Sequence, residues 1–333
     1  MPKVSVIVPC FNERRTIRLL LESIHRQTFP LSALEVVISD GMSTDGTRAE
    51  IAKFQADFPD LDVRVVDNAL RTIPSGLNRA IEAARGSILL RLDAHSKPHP
   101  DYIANSIKAL EDGHGDNVGG VWEIHPGADT WMARAIAVAA AHPLGVGDAL
   151  YRRARRATVA DTVPFGAFKR ELIERVGWFD ETLLTNEDYE FNARIRKAGG
   201  RIWLDPSIRS IYFARSTLLE LAQQYWRYGY WKWRMLRRYP ETLRWRQALP
   251  PSFVLSLLSL AVLSFFAPFF RLVLLGELVL YFLILFFAGF RAAWQKNDLS
   301  LAVGLIWAIP VMHISWGCGF LWSILSSGSA KNG

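Results

Sequence analysis

The run Ser-Ile-Leu-Leu-Arg-Leu-Asp-Ala-His-Ser at positions 87–96 delivers an acid, Asp93, and an imidazole, His95, at the end of an apolar stretch. Both side chains are acceptable ligands for Mn²⁺-like cations. If the backbone stays extended, residues two apart point to the same side, so the pair could hold one divalent ion between them. A polar turn after a buried strand would carry the same residues without chemistry. Two more acids stand in comparable places: Glu13 follows the apolar run at 4–9, and Asp40 ends the run at 35–39. Carboxylates at such positions accept hydrogen bonds from a nucleobase N–H or a ribose hydroxyl. No Gly-x-Gly-x-x-Gly follows the first run, and no Gly-Lys-Ser/Thr loop occurs. The pattern therefore disfavours a dinucleotide-binding Rossmann domain and a P-loop, and fits a nucleotide-sugar site built on acids and a metal.

The elements that must position these groups alternate. Residues 4–9 read as a strand buried on both faces. A helix from 16 to 25 follows, with Ile17, Leu20, Leu21 and Ile24 on one face. Further strands are expected at 35–39, 63–66, 88–92 and 118–122, with helices at 47–58, 74–84 and 100–111. Gly86 is the expected stop of the helix at 74–84. This order predicts an α/β fold with a mainly parallel sheet, ligands gathering at the carboxyl ends of its strands. Farther on, residues 133–141 are Ala-rich, and Arg152, Arg153, Arg155 and Arg156 form a basic cluster. That cluster is either a solvated face or a loop for phosphate or lipid headgroups. Gly166, inside the run 163–168, marks a backbone that must approach something closely. Thr185 or Asn186 is placed to cap a helix through Arg196, and Glu187 and Asp188 in its first turn also suit the helix dipole.

Composition shifts at Pro250-Pro251. Residues 252–270 and 301–325 carry no Asp, Glu, Lys or Arg, and residues 272–290 carry only Glu277. Each segment can cross a hydrocarbon layer about 30 Å thick. The chain has 333 residues, a net charge of +7 and two cysteines, Cys10 and Cys318. That charge calls for an anionic partner, and two distant cysteines exclude a disulfide framework or a zinc pattern. Nearly all twelve Trp fall in the second half, several of them among the arginines and Lys232 of residues 225–245. A basic aromatic helix there would lie at headgroup level, and its neighbours argue against nucleic acid. The start of the chain is not patterned as a signal peptide. The expected domains are 1–215 catalytic, 216–249 interfacial and 250–327 membrane. The catalytic part is expected on the cytoplasmic face of the inner membrane, following the positive-inside rule. Arg271 would then lie outside, and Glu277 should face protein or headgroups.

Taken together, Pro9-Cys10-Phe11-Asn12-Glu13, Ser39-Asp40-Gly41, Asp45-Gly46-Thr47, Asp93-Ala94-His95, Glu187-Asp188 and Gln224-Tyr225-Trp226-Arg227-Tyr228 resemble the inverting family-2 glycosyltransferases of GT-A fold. Within that family the chain looks like the membrane-bound exopolysaccharide glucosyltransferases of the succinoglycan type. The resemblance implies that Pro9, Asn12, Glu13, Asp40, Asp93 and Glu187 serve nucleotide and substrate binding, with Glu13 and Asp40 on the uracil and ribose of a UDP-sugar. It implies Asp93 and His95 on Mg²⁺ or Mn²⁺, and Asp188 as general base. Gln224, Arg227 and Tyr228 match a Gln-x-x-Arg-Trp pattern whose arginine faces the diphosphate. The expected reaction moves a hexose, glucose first among candidates, to a lipid-linked saccharide, with other polysaccharide-assembly proteins as partners. A polyprenyl-phosphate glycosyltransferase, a processive synthase and a non-catalytic nucleotide-binding membrane protein are the alternatives.

Overall fold

The computed structural model describes residues 2–147 and 149–329. They fold as two compact units, one of Met1–Glu123 with Leu150–Tyr212, the other of Ile124–Ala149 with Phe213–Gly333. Residues 124–149, expected in the catalytic part, cluster with the C-terminal helices.

The first unit is organised on one sheet. Its strands are β1 (Val4–Cys10), β2 (Leu34–Asp40), β3 (Asp62–Asp67), β4 (Ile88–Arg91), β5 (Lys97–Pro98), β6 (Asn117–His125), β7 (Thr158–Val159), β8 (Ala167–Lys169) and β9 (Ile202–Phe213). They lie in the order β3-β2-β1-β4-β8-β6-β9-β5, with β7 on β9. The half β3-β2-β1-β4 is parallel, as the alternation of elements requires. Beyond β4 the sheet turns antiparallel at β8, and β6 is antiparallel to β8 in turn. The sheet is therefore mixed, and β6 does not continue the parallel series: the short β8, contributed from far along the chain, takes the place beside β4.

Alternation along the strands feeds two cores. Val4, Val6 and Val8 face one, Ile7, Val37 and Leu89 the other. The first core is covered by α1 (Ile17–His25), α2 (Thr47–Asp57) and, later in the chain, the helix Tyr102–Glu111. The four apolar residues expected on the inner face of α1 are the four it buries. The second core is covered by α3 (Ile73–Ala83) and by helices numbered below. Counting Tyr102–Glu111 as α4, the rest are α5 (Trp131–Ala139), α6 (Pro143–Val146), α7 (Glu171–Val176), α8 (Glu187–Lys197), α9 (Leu218–Leu236), α10 (Trp245–Leu263), α11 (Pro268–Lys296) and α12 (Ser300–Ser329). Gly86 is not the stop of α3, whose C-cap is the extended Ala84. It is instead a close approach, since a Cβ there would sit 2.7 Å from Ser5 Oγ. Gly166 meets its expectation: its φ is +99° and a Cβ would lie 2.4 Å from Asn117 Oδ1.

In the second unit, α10, α11 and residues 300–327 of α12 are long and apolar enough to span a membrane. The first helix ends at Leu263, not near 270, because Pro268 at the start of α11 needs no N–H partner and Ala267 before it is extended. Arg271 donates to the carbonyl of Ser264, 2.9 Å away, and so caps α10. Glu277 accepts from Ser256 Oγ at 2.5 Å across the α10–α11 pair. The Trp-rich stretch is also broken: α9 stops at Leu236, and Trp245 opens α10. α9 packs on α12 where Gly229 and Gly319 let the two backbones meet.

At the amino end of β2, Glu35 is fully buried and accepts from Ser5 Oγ, Arg85 N, Arg85 Nε and Arg64 Nη2 at 2.5–2.9 Å. Burial pushes its carboxyl up, but these four donors outweigh burial and hold it down at about 2. A lowered carboxyl stabilises the fold above its unfolded value near 4.5 and loses that contribution as pH falls toward 2. Glu35→Gln should cost about 2 kcal/mol at pH 7. In urea titrations, the gap from wild type should close between about pH 4.5 and 2.

Candidate active site

The carboxyl ends of β1, β2, β3 and β4 present Glu13, Asp40, Asp67 and Asp93 at one edge of the sheet. Three of them were expected; Asp67 was not, although it ends β3 as the others end their strands.

The β1 and β2 loops are laced together. Asn12, held at φ +55°, donates its N–H to Ser43 Oγ at 2.8 Å and accepts from Thr44 N at 2.9 Å. Glu13 N donates to Thr47 Oγ1, and Arg14 N to Asp45. Pro9 pairs in register with Ser39, and Cys10 with Asp40. Asp40, expected on the nucleoside, is completely buried: Ser43 N and Oγ and Arg48 Nε occupy its oxygens at 2.5–3.1 Å. Its direct effect is to fix Ser43, and through Ser43 the Asn12 loop. Arg48 also grips Asp67, which is exposed. Phe11 stands exposed beside these loops with the Arg71 guanidinium 5.7 Å from its ring centre.

After Arg91 the chain leaves the extended conformation. Ser96 N donates to the Asp93 carbonyl at 2.9 Å, and Ser96 Oγ to the same oxygen at 2.7 Å, closing a turn over residues 93–96. The premise of two side chains pointing alike from a strand therefore fails. Asp93 turns inward, its Oδ1 accepting from Arg91 Nη2 at 3.1 Å. His95 turns to Glu13, with Nδ1 3.0 Å from Oε1, while Glu13 Oε2 accepts from Thr16 at 2.5 Å. A proton on Nδ1 shared with a carboxylate leaves the ring's lone pair on Nε2, the tautomer suited to metal ligation.

Arg91 is the residue that sequence reasoning overlooked. It lies within the apolar strand β4 and is 4% exposed. Its Nη2 donates both to Asp93 and to Glu187 Oε1, the latter at 2.8 Å, joining β4 to the start of α8. Glu187, a candidate for substrate contact, is thereby buried as a bracket. Asp188 beside it is only partly buried and accepts from Tyr189 N at 2.7 Å. Burial pushes the carboxyls of Glu187 and Asp188 up, against the pull of Arg91. The start of α8 is set by Asn186 in a left-handed conformation (φ +69°), whose side chain makes no capping bond, so the expected cap is absent.

Among the described residues, no group of three or more His, Cys, Asp or Glu side chains converges as a metal cage. An Mg²⁺-like ion needs only one or two protein ligands and completes its shell with water and substrate phosphates, so Asp93 and His95 are the residues that would hold one. Gln224, Arg227 and Tyr228 lie on α9 in the second unit. There Gln224 Nε2 donates to Tyr228 Oη at 3.0 Å, and Arg227 is exposed.

The model of the family described as "Glycosyl transferase family 2" matches residues 5–177, more than half of the chain and the whole of the edge just described apart from α8. The chain belongs to that family. It is 31% identical over 318 residues to the succinoglycan biosynthesis protein ExoA of Rhizobium meliloti, covering 95% of this chain and 93% of that protein. It is 29% identical over 265 residues to a dolichyl N-acetyl-α-D-glucosaminyl phosphate 3-β-D-2,3-diacetamido-2,3-dideoxy-β-D-glucuronosyltransferase of Methanococcus voltae, covering 78% and 81%. Among solved structures it is similar to the mannosyltransferase PcManGT from Pyrobaculum calidifontis in complex with GDP-Man and Mn²⁺. The TM-score is 0.63 and the identity 22%, over 96% of this chain and 87% of that one. The family is one of transferases, and its GT-A fold is the fold found here.

Removing the central cation should be felt at once. Arg91→Met leaves Glu187 buried without a counter-charge and should cost about 3–5 kcal/mol. Adding Glu187→Leu should recover most of that loss, since Asp93 is 26% exposed and can be solvated. Urea unfolding of the two variants in detergent measures both effects.

Proposed function

We propose that the chain is an inverting glycosyltransferase that moves a hexose, glucose first, from a UDP-sugar to a lipid-linked saccharide at the cytoplasmic face of the inner membrane, in exopolysaccharide assembly. The observation that carries this reading is the Arg91 bridge, which ties Asp93, the acid on the donor side, to the helix start that holds Asp188. Support for the acceptor comes from the Methanococcus relative, named for transfer to a dolichyl-linked sugar phosphate, and from three helices able to span a membrane.

In this reading Asn12, Glu13 and Asp67 meet the nucleoside, with Pro9 and Asp40 shaping the loops that hold it. Asp93 and His95 would hold Mg²⁺ or Mn²⁺, which as a Lewis acid offsets charge on the departing diphosphate. Asp188 takes the proton of the acceptor hydroxyl as its oxygen attacks C1 from the face opposite UDP, inverting the anomeric centre. Its partial exposure and raised carboxyl suit that role: a base must be ionised to accept, yet basic enough to take a proton. Arg227 is assigned to the diphosphate on the Gln-x-x-Arg pattern alone.

The test is to incubate the full chain in detergent with UDP-glucose, UDP-galactose, UDP-N-acetylglucosamine or GDP-mannose, with Mn²⁺ or EDTA, plus a lipid extract. Release of nucleotide from one donor, abolished by EDTA and raised by lipid, is expected. Hydrolysis or binding of none of the donors would overturn the reading. Product mass separates one sugar on a lipid saccharide from a sugar on polyprenyl phosphate or a long polymer.

Asp188→Asn should lower turnover by about 10²–10⁴-fold while UDP affinity holds. Because burial raises the Asp188 carboxyl, the acid limb of the wild-type rate should lie above the ordinary carboxylate range, with activity rising as pH climbs through it. Turnover of Asp188→Asn equal to wild type would remove the base from Asp188.

A further inference from the structure

The arginine cluster of residues 152–156 has no part in the reaction described so far. It belongs to the first unit, and it is anchored rather than loose. The Arg152 guanidinium lies 5.2 Å from the Trp122 ring centre, 5.3 Å from Tyr151 and 5.9 Å from Tyr212. Trp122 in turn stacks on Tyr212 at 4.4 Å, meets Tyr151 edge-on at 5.2 Å and touches Phe165 at 5.8 Å. A planar cation seated on several π faces fixes the segment that carries it. The neighbouring Arg153, Arg155 and Arg156 are exposed, and no carboxylate among the described residues pairs with them. A solvated face usually intersperses its charges with opposite ones. This one concentrates a single sign on a rigid aromatic base.

Its place in the sheet gives the cluster a purpose. β4 and β6 are both antiparallel to β8, so they run in the same direction, and Trp122 stands toward the end of β6 on the edge where β4 delivers Asp93. Phe165, against Trp122, precedes Gly166, whose carbonyl accepts the Arg91 N–H at 2.9 Å. The platform therefore lies on the β8–β6 side of Asp93, opposite the β1–β3 loops that carry the nucleoside acids.

We propose that Arg153, Arg155 and Arg156 bind the diphosphate of the lipid-linked acceptor. Guanidinium forks match phosphate oxygens two at a time. Asp188, partly exposed at the same edge, repels a diphosphate, and Arg91 is already engaged by Asp93 and Glu187, so an acceptor carrying one needs cations of its own to approach. A preset cluster serves a defined ligand better than a bulk anionic surface, for which loose lysines would suffice. The inference rests on the lipid-linked acceptor of the proposed function only for the identity of the lipid.

The test uses the full chain in detergent and farnesyl diphosphate as the probe, read by calorimetry, with farnesol, UDP and phosphatidylglycerol vesicles as comparisons. Arg153→Gln/Arg155→Gln/Arg156→Gln should bind farnesyl diphosphate at least about tenfold more weakly than wild type, roughly the loss of one to two charge-assisted bonds. Farnesol and UDP binding should be unchanged, and unchanged UDP binding also certifies that the variant is folded. Arg152→Lys, which keeps the charge but loses the stacked plane, should fall between the two. Equal farnesyl diphosphate affinity in wild type and triple variant would overturn the proposal. So would a loss confined to vesicle binding, which assigns the arginines to bulk headgroups, or a loss confined to UDP, which assigns them to the donor. Failure of sugar transfer with this binding pattern intact would sink the proposed reaction and leave the anion site standing.

Discussion

A guanidinium almost sealed from water, held between two carboxylates, sets the geometry of the whole edge. Taking an arginine and its partners out of water is expensive, and their mutual attraction repays that only when hydrogen bonds are well made. Such a bridge is weak as a source of stability, and hydrophobic residues of the same volume would serve the fold as well. What they could not do is specify where α8 begins relative to β4. Arg91 donates from one nitrogen to both Asp93 and Glu187, so those carboxyls cannot move independently. The spacing of Asp93 from Asp188, the neighbour of Glu187, is thus set by one side chain. The same arrangement separates two adjacent acids: Glu187 turns in to the cation, and Asp188 stays partly exposed.

The mixed sheet is what makes this bridge possible. A parallel half supplies a row of strand ends, and every one of those ends carries an acid within three residues. A fully parallel continuation past β4 would put a crossover helix there. Instead β8 runs antiparallel beside β4, and the tight Phe165-Gly166 pair, both at positive φ, turns the chain so that Gly166 O meets Arg91 N. Gly120 allows β6 and β9 to close on each other on the far side, since a Cβ there would fall 1.7 Å from the Ile208 carbonyl oxygen. The antiparallel half thus brings a distant stretch of chain, including α8, onto the acids without a long loop.

Much of this was legible in the residues, and the limits have physical causes. Continuous apolar runs marked β1 and β2, and 3.6-residue spacing marked α1 and α2, because in each the burial is written in neighbouring residues. The acids at strand ends were legible for the same reason, and Asp67 could have been found by applying that rule to β3. Arg91 was harder: a charge within an apolar strand announces that it has a partner, but not that the partner is 96 residues away. Asp93 and His95 follow β4 in the chain, but their directions depend on a turn closed by Ser96. Asp40 was expected to face a ligand, and only the structure reveals that Ser43 and Arg48 enclose it. Pairings such as β8 with β4 are long-range and leave no local trace.

The second unit obeys a stricter version of the same constraint. In a lipid-like environment an unsatisfied polar group costs several kcal/mol, so polar residues within apolar helices must find partners in protein. Arg271 would be an anomaly if it were simply a charge beyond the end of a span; donating to the Ser264 carbonyl, it closes the end that the extended Ala267 leaves open. Glu277 finds Ser256 on the neighbouring helix. The α9–α12 contact follows another rule of apolar surroundings: with little hydrophobic gain from association, close packing through small residues must supply the attraction, and Gly229 and Gly319 are placed to allow it. α10, α11 and α12 are thus more than long apolar helices. Their polar and small residues specify one packing, as Arg91 specifies one arrangement of acids.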